Sequence, residues 1–293
     1  MVDIVSQKLI LVSQCGNGIW NRHVKLLLMV YKISSQKRRL LDLLAVVLLV
    51  LLASYITIFF TPNFLISSLL FFGLPSLYLL ARKPVELKKG LYGAFLIGVV
   101  WGFSFDYLAE FNHAWGWSIN TNLAIPLHIL GVVSLDILIW YFLWIFLVII
   151  FYEYFAEHDS SKKISPRYFR TLGIGVIVAV VVVLLSKTAP DLLTFSYTYL
   201  ILGILTLIPF SVIVIRRPSI FPKVMEIIPF FIFLYLVFEL TALRTSLWSF
   251  PGQYIGFVNI IGQRFPFEEM IFWIVISSAI AASYHEYVVD DNK

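Results

Sequence analysis

Eight mostly apolar stretches dominate this chain, each close to the roughly 20 residues a helix needs to cross a bilayer. They fall near 40–60, 63–81, 91–111, 129–152, 171–188, 195–215, 225–243 and 268–288. Apolar runs without alternation favour helices over barrel strands, because backbone groups in lipid must be satisfied within the segment. The expected fold is an all-α integral membrane protein with about eight transmembrane helices. Composition agrees: 60% of residues are hydrophobic, 13% are charged, and mean hydropathy is +0.90. The weakest span is 225–243, which carries Glu226, Pro229 and Glu239.

Basic residues set the orientation. With the N-terminus inside, the cytoplasmic segments are 1–39, 82–90, 157–170, 216–224 and the tail after 288. Of the 22 Lys and Arg, 19 fall there, and only Lys187, Arg244 and Arg264 fall outside. Both termini are therefore read as cytoplasmic, in a multi-pass protein of the cell membrane. The net charge of +5 is then a topogenic signal; the lipid bilayer is the expected partner, and nucleic acid is not. Residues 1–38 read as a cytoplasmic or interfacial segment. VKLLLMVY at 24–31 is too short to span, and no signal-peptide pattern precedes it. Met29 is an alternative start, with KRRLLDLL then following as a first anchor. The single Cys15 excludes intrachain disulfides and cysteine metal sites.

The chain also repeats itself at a spacing of 133 residues. Asp106 recurs as Glu239, Trp115 as Trp248, Asp136 as Glu269, Trp140 as Trp273, Glu153 as Glu286 and Tyr154 as Tyr287. Acids inside a membrane are costly, so their recurrence marks a site built between two halves. An even number of helices separates the related positions, which makes the duplication parallel. The halves are 39–156 and 171–293, four helices each, joined by a cytoplasmic linker at 157–170. Asp106 and Glu239 lie in the outer part of the membrane. Asp136 and Glu269 lie at the outer ends of the next helices, so the four converge if the halves face each other. Glu153 and Glu286 lie at cytoplasmic helix ends, where solvation is the expectation.

The sharpest local motif is Arg264-Phe265-Pro266-Phe267-Glu268-Glu269-Met270-Ile271-Phe272-Trp273. Pro266 suits a helix start, and the paired glutamates sit in the first turn, where the helix dipole favours acids. Phe272 and Trp273 follow the glutamates at i+4, which puts an aromatic on the face of each acid. The pattern serves either as a plain helix start with an interfacial aromatic belt or as a proton donor beside faces that stabilise positive charge.

The segment from Tyr197 to Tyr287 resembles one unit of the membrane-integral lycopene (carotenoid) cyclases, which occur as two small subunits or as one fused, duplicated chain. The resemblance rests on Tyr197 and Tyr199, the basic turn Arg216-Arg217, and Glu239. It continues through Trp248-Ser249-Phe250-Pro251 with Tyr254 and Gly256, then Pro266-Phe267-Glu268-Glu269 with Phe272-Trp273, and ends at Tyr284-His285-Glu286. The first half is similar more loosely, through Asp106, Trp115, Trp117, Asp136 and Tyr152-Glu153. It reads Val133-Ser134-Leu135-Asp136 where the family has Pro-x-Glu-Glu or Pro-x-Glu-Asp.

The resemblance implies an intramolecular lyase or isomerase that closes a ring on the end of an acyclic polyene such as lycopene. Such a reaction has no net redox change and needs no cofactor. It implies Glu268 or Glu269 as the acid, with Glu239, Asp106 or Asp136 as base or electrostatic stabiliser. Trp248, Phe267, Phe272 and Trp273 would face the cation. Phe250, Tyr254, Pro266, Trp115 and Trp140 would complete the substrate site. A homo-oligomer or other carotenoid-pathway enzymes are the implied protein partners. Gly173-Ile174-Gly175 and Gly16-Asn17-Gly18 lack the third glycine and strand of a nucleotide fingerprint. The five histidines show no zinc spacing, and His113 is the one placed near a site residue, Trp115. The alternative reading is a multi-pass transporter or apolar-ligand-binding protein, or a non-catalytic relative of the cyclases.

Overall fold

A computed structural model describes residues 19–117, 127–157 and 163–290. The start of the N-terminal segment, Cys15, part of the linker and the last three residues lie outside the described residues. The chain divides into a first unit ending at Val46 and a second unit, Val47–Lys293, which holds the site.

Helices occupy most of the described chain. They are α1 (Ile19–Phe60), α2 (Phe64–Arg82), α3 (Leu87–Phe111), α4 (Leu135–Phe155), α5 (Pro166–Thr188), α6 (Thr198–Arg216) and α7 (Ile220–Arg244). The last, α8, is broken into Glu269–Val275 and Ser277–Val289, bent by 47°. Among the described residues, seven helices are long and apolar enough to cross a membrane, and eight if the bent pair is one span. This is the make-up of an all-α membrane protein. The segment expected to be weakest, 225–243, lies inside a continuous 25-residue helix that contains Pro229. The anchor expected at 40–60 is the end of the 42-residue α1.

One expected span is corrected. Residues 129–134 are not helical; they belong to a hairpin of β2 (His128–Ile129) and β3 (Val133–Ser134), and α4 starts only at Leu135. Leu130 and Gly131 both take positive φ (54° and 75°), the conformation of a primed hairpin turn. A second hairpin, β5 (Phe257–Ile260) with β6 (Gln263–Pro266), turns at Ile261 and Gly262 with φ of 51° and 78°. Two further short strands, β1 (Gly116–Trp117) and β4 (Trp248–Ser249), pair antiparallel, with Gly116 opposite Ser249.

Helix α4 is the central element: 72% of its apolar window is buried, against 17% for α5. It packs on α3 so closely that a Cβ at Gly98 would stand 2.7 Å from the Tyr141 carbonyl oxygen. Large apolar side chains on α5 and α6, among them Ile177, Leu184, Ile204 and Ile208, are exposed, as expected of a surface facing lipid.

Several features recur at or next to the 133-residue spacing. Helices α2 and α6 both have 19 residues, and α3 and α7 both have 25. Helix α3 ends with His113 in the left-handed region and a bond from Ala114 N–H to the Ala109 carbonyl. Helix α7 ends with Ser246 in that region and a bond from Leu247 N–H to the Ala242 carbonyl. Both are Schellman-type stops, in which a left-handed residue lets the chain cap the last free carbonyls and fold back.

Candidate functional site

The Schellman stops explain how a tryptophan reaches an acid nine residues earlier. Once the chain reverses, the Trp115 indole N–H donates to Asp106 at 3.2 Å, and the Trp248 indole N–H donates to Glu239 at 3.1 Å. Asp106 and Glu239 are 1% and 0% exposed. A buried carboxyl without a donor is costly, so each indole offsets part of that cost.

A cavity of about 550 Å³ lies beside these pairs, within the range of small-molecule sites. Asp106, Trp115, Trp140, Trp248, Phe250, Glu269, Phe272 and Trp273, all expected site residues, line it. Trp140 and Trp273 meet at its wall with centroids 5.0 Å apart and planes tilted by 46°. Tyr199 hydroxyl donates to Glu269, and its ring meets Trp115 edge-on at 5.4 Å. The Glu269 carboxyl also lies against that of Glu239.

The two adjacent glutamates are separated by the fold. Glu269 faces the cavity, whereas Glu268 turns to the loop before β5 and accepts the Ile255 N–H at 2.7 Å. The first segment of α8 is a π-helix, wider than an α-helix, so the i+4 spacing expected of an α-turn does not describe it. Asp136 lies in the first turn of α4, takes a hydrogen bond from the Ser134 hydroxyl and stands near Asp106. It does not line the cavity, and neither do Tyr254, Pro266 and Phe267. Phe267 is 42% exposed at the end of β6. Tyr254 instead ties the loop after α7 to the turn after α3, donating to the Ala114 carbonyl. Burial holds its phenol above the usual range, which keeps it a donor.

Tyr141, Trp144, Tyr199 and Gly203 were not expected at the site, yet all four line the cavity. Aromatic residues are frequent in this chain and only depth singles these out. Gly203 matters through close approach, since a Cβ there would stand 2.3 Å from Phe272. Glu110, one turn beyond Asp106, is a further acid near Asp106 and Asp136.

A second polar cluster lies at the other end of the helices. Glu153 and Glu286, expected to be solvated, are 0% and 4% exposed. Each takes a hydrogen bond from the helix that carries the other: Tyr152 hydroxyl donates to Glu286 at 3.1 Å, and His285 Nε2 sits 2.8 Å from Glu153. Tyr152 and His285 are themselves 133 residues apart. Lys89 pairs with Glu153 at 3.4 Å and Asp290 at 2.5 Å, while Lys223 pairs with Glu286 at 3.5 Å and with Glu157. Glu153, His285 and Asp290 each offer a ligand atom within 4.8 Å of the others, a grouping that histidine spacing did not reveal. Lys89 already stands against both acids as a cation.

No protein-family model, curated protein or solved structure matches this chain.

Proposed function

We propose that this chain is a membrane cyclase that closes a ring on the end of an acyclic carotenoid such as lycopene. One observation carries the reading: Glu269, held by Tyr199 and beside Glu239, opens onto an apolar cavity walled by tryptophans. The carboxyl of Glu269 gives its proton to the terminal double bond, leaving a tertiary carbocation. The neighbouring double bond attacks, forming the ring bond and moving the charge inward. A carboxylate then takes a proton from the ring and restores one double bond. One proton enters and one leaves, so substrate and product are isomers. Asp106, the other acid on the cavity wall, fits the base. The faces of Trp115, Trp140, Trp248 and Trp273 stabilise the cation, each by about 0.5–2 kcal/mol.

The proposal includes a parallel duplication with both termini cytoplasmic in the cell membrane. The matched helix lengths, the twin Schellman stops and the twin acid–indole pairs support it. So does the reciprocal pattern of Tyr152–Glu286 and His285–Glu153. The distribution of 19 of 22 basic residues supports the orientation. A homo-oligomer or neighbouring carotenoid enzymes would be its protein partners.

The test is chromatography of pigments from lycopene-accumulating cells that express the parent or Glu269→Gln. A ring-bearing carotenoid with the parent alone supports the acid. Rings from both remove Glu269 from that role. Unchanged lycopene with both, at confirmed membrane expression, removes lycopene as substrate. The 47° break in α8 favours a second reading, a transporter with acids at a broken helix. Proton-coupled uptake into vesicles lost in Glu269→Gln, with no ring formed, would establish that reading.

A further inference from the structure

We infer that the cavity is filled sideways from the lipid, through a mouth between α5 and α6, and that its ligand is a linear apolar chain dissolved in the bilayer. The choice of a polyene as probe rests on the function proposed above; the mouth itself rests on geometry.

The cavity takes Thr171 and Val178 from α5 and Leu202, Leu205, Thr206 and Pro209 from α6. Yet these two helices meet sparsely at most; α5 packs on α3 and on the end of α8, and α6 on α3 and α8. Leu205 lines the cavity and is also 54% exposed, so the cavity is open there. Val178 and Leu205 each sit at least about 10 Å from either end of their helices, at 1.5 Å per residue. The opening is therefore inside the spanning region and not at a membrane surface. Exposed Ile174, Ile177, Val180, Ile201, Ile204 and Ile208 flank it, and such a rim suits hydrocarbon.

The interior has the shape of a slot. It follows α3 from Leu96 to Leu108, twelve residues or about 18 Å. Its acids, Asp106 and Glu269, lie towards one end, with Tyr199. A linear chain enters with its terminus at the acids, and any excess length leaves through the mouth into lipid. Pro209 adds a local weakness in α6. It has no N–H to give the Leu205 carbonyl, so the helix lacks a bond at the residue that forms the rim.

The same place in the other half is closed. Phe71 and Phe72, 133 residues before Ile204 and Leu205, are fully buried against Phe238 at 5.0 and 4.9 Å. Entry is thus specific to the α5–α6 side.

The test uses the full chain in proteoliposomes, in a Cys15→Ser background. Leu205→Cys is coupled after folding to a bulky maleimide, and Ile215→Cys serves as a control on the same helix, exposed but away from the mouth and outside the cavity lining. Vesicles loaded with lycopene donate the polyene, and polyene retained per purified protein is read by absorbance against time. Blocking Leu205 is expected to slow loading at least tenfold, with Ile215 loading like the parent. Val178→Trp is expected to slow it in the same sense. Parent-like loading of blocked Leu205, or equal slowing at Ile215, overturns the mouth. No retained polyene in the parent overturns the ligand class. Ring formation has no part in this readout: loading through Leu205 without any ring refutes the cyclase and leaves the mouth standing.

Discussion

Two regions with matched backbones pack in opposite ways. On the α2 side, Phe71 and Phe72 fill the space beside Trp140 and Phe238. On the α6 side, Ile204 and Leu205 point outward, 46% and 54% exposed, and the space beside Trp273 and Glu269 is a cavity. Both sides keep an acid capped by an indole. The acid–indole pair therefore belongs to the scaffold, and what makes a site is the room next to it. Two large aromatics fill the α2 side and leave that room on the α6 side.

The comparison makes its largest prediction about chemistry. Glu269→Gln should lower ring formation by at least about 100-fold, the scale of one lost acid. Asp136→Asn, away from the cavity, should cost less than about tenfold. Product formation in membranes with matched protein levels checks both, and equal losses would mean that the two halves share one symmetric site.

Packing comes next. Phe72→Ala should destabilise the protein by about 3–5 kcal/mol, because it empties a full core position. Leu205→Ala should change stability by less than about 0.5 kcal/mol, since its side chain is half in lipid already. Reversible unfolding in detergent measures the difference, and similar values would erase the distinction between filled and open sides.

The paired lysines offer a contrast of the same size at the opposite membrane edge. Lys89→Met should cost about 3–5 kcal/mol, because it leaves Glu153 and Asp290 buried without their cation. Lys223→Met should cost below about 1 kcal/mol, since that lysine is one-third exposed. The smallest expected difference is between the twin caps. Trp115→Phe and Trp248→Phe each remove one donor from a buried acid, about 1–3 kcal/mol apiece. A large difference between these two would show that the caps have diverged as the pockets have.

Much of this was legible beforehand, for a physical reason. Acids and tryptophans stand out in an apolar chain, so Asp106, Trp115, Glu239 and Trp248 could be matched by spacing, and all but Glu239 line one cavity. Other features were not legible. The hairpin at Leu130-Gly131 carries a leucine at positive φ, and leucine gives no turn signal. Burial of Glu153 and Glu286 depends on Tyr152, His285 and two lysines brought from distant helices. Glu268 and Glu269 look alike in sequence, and only the start of α8 turns one to a loop N–H and the other to the cavity. The break in α8 carries no proline or glycine to announce it.

By itself, the sequence determined the class of fold and the placement of charge. Lipid tolerates only self-satisfied backbone, and acids survive there only in company. The tertiary structure decided which acid meets empty space, which lysine is dry and which pair of helices stands apart. Those outcomes depend on how side chains from separate helices fill a shared volume, and close packing is a property of the assembled bundle, not of any one segment.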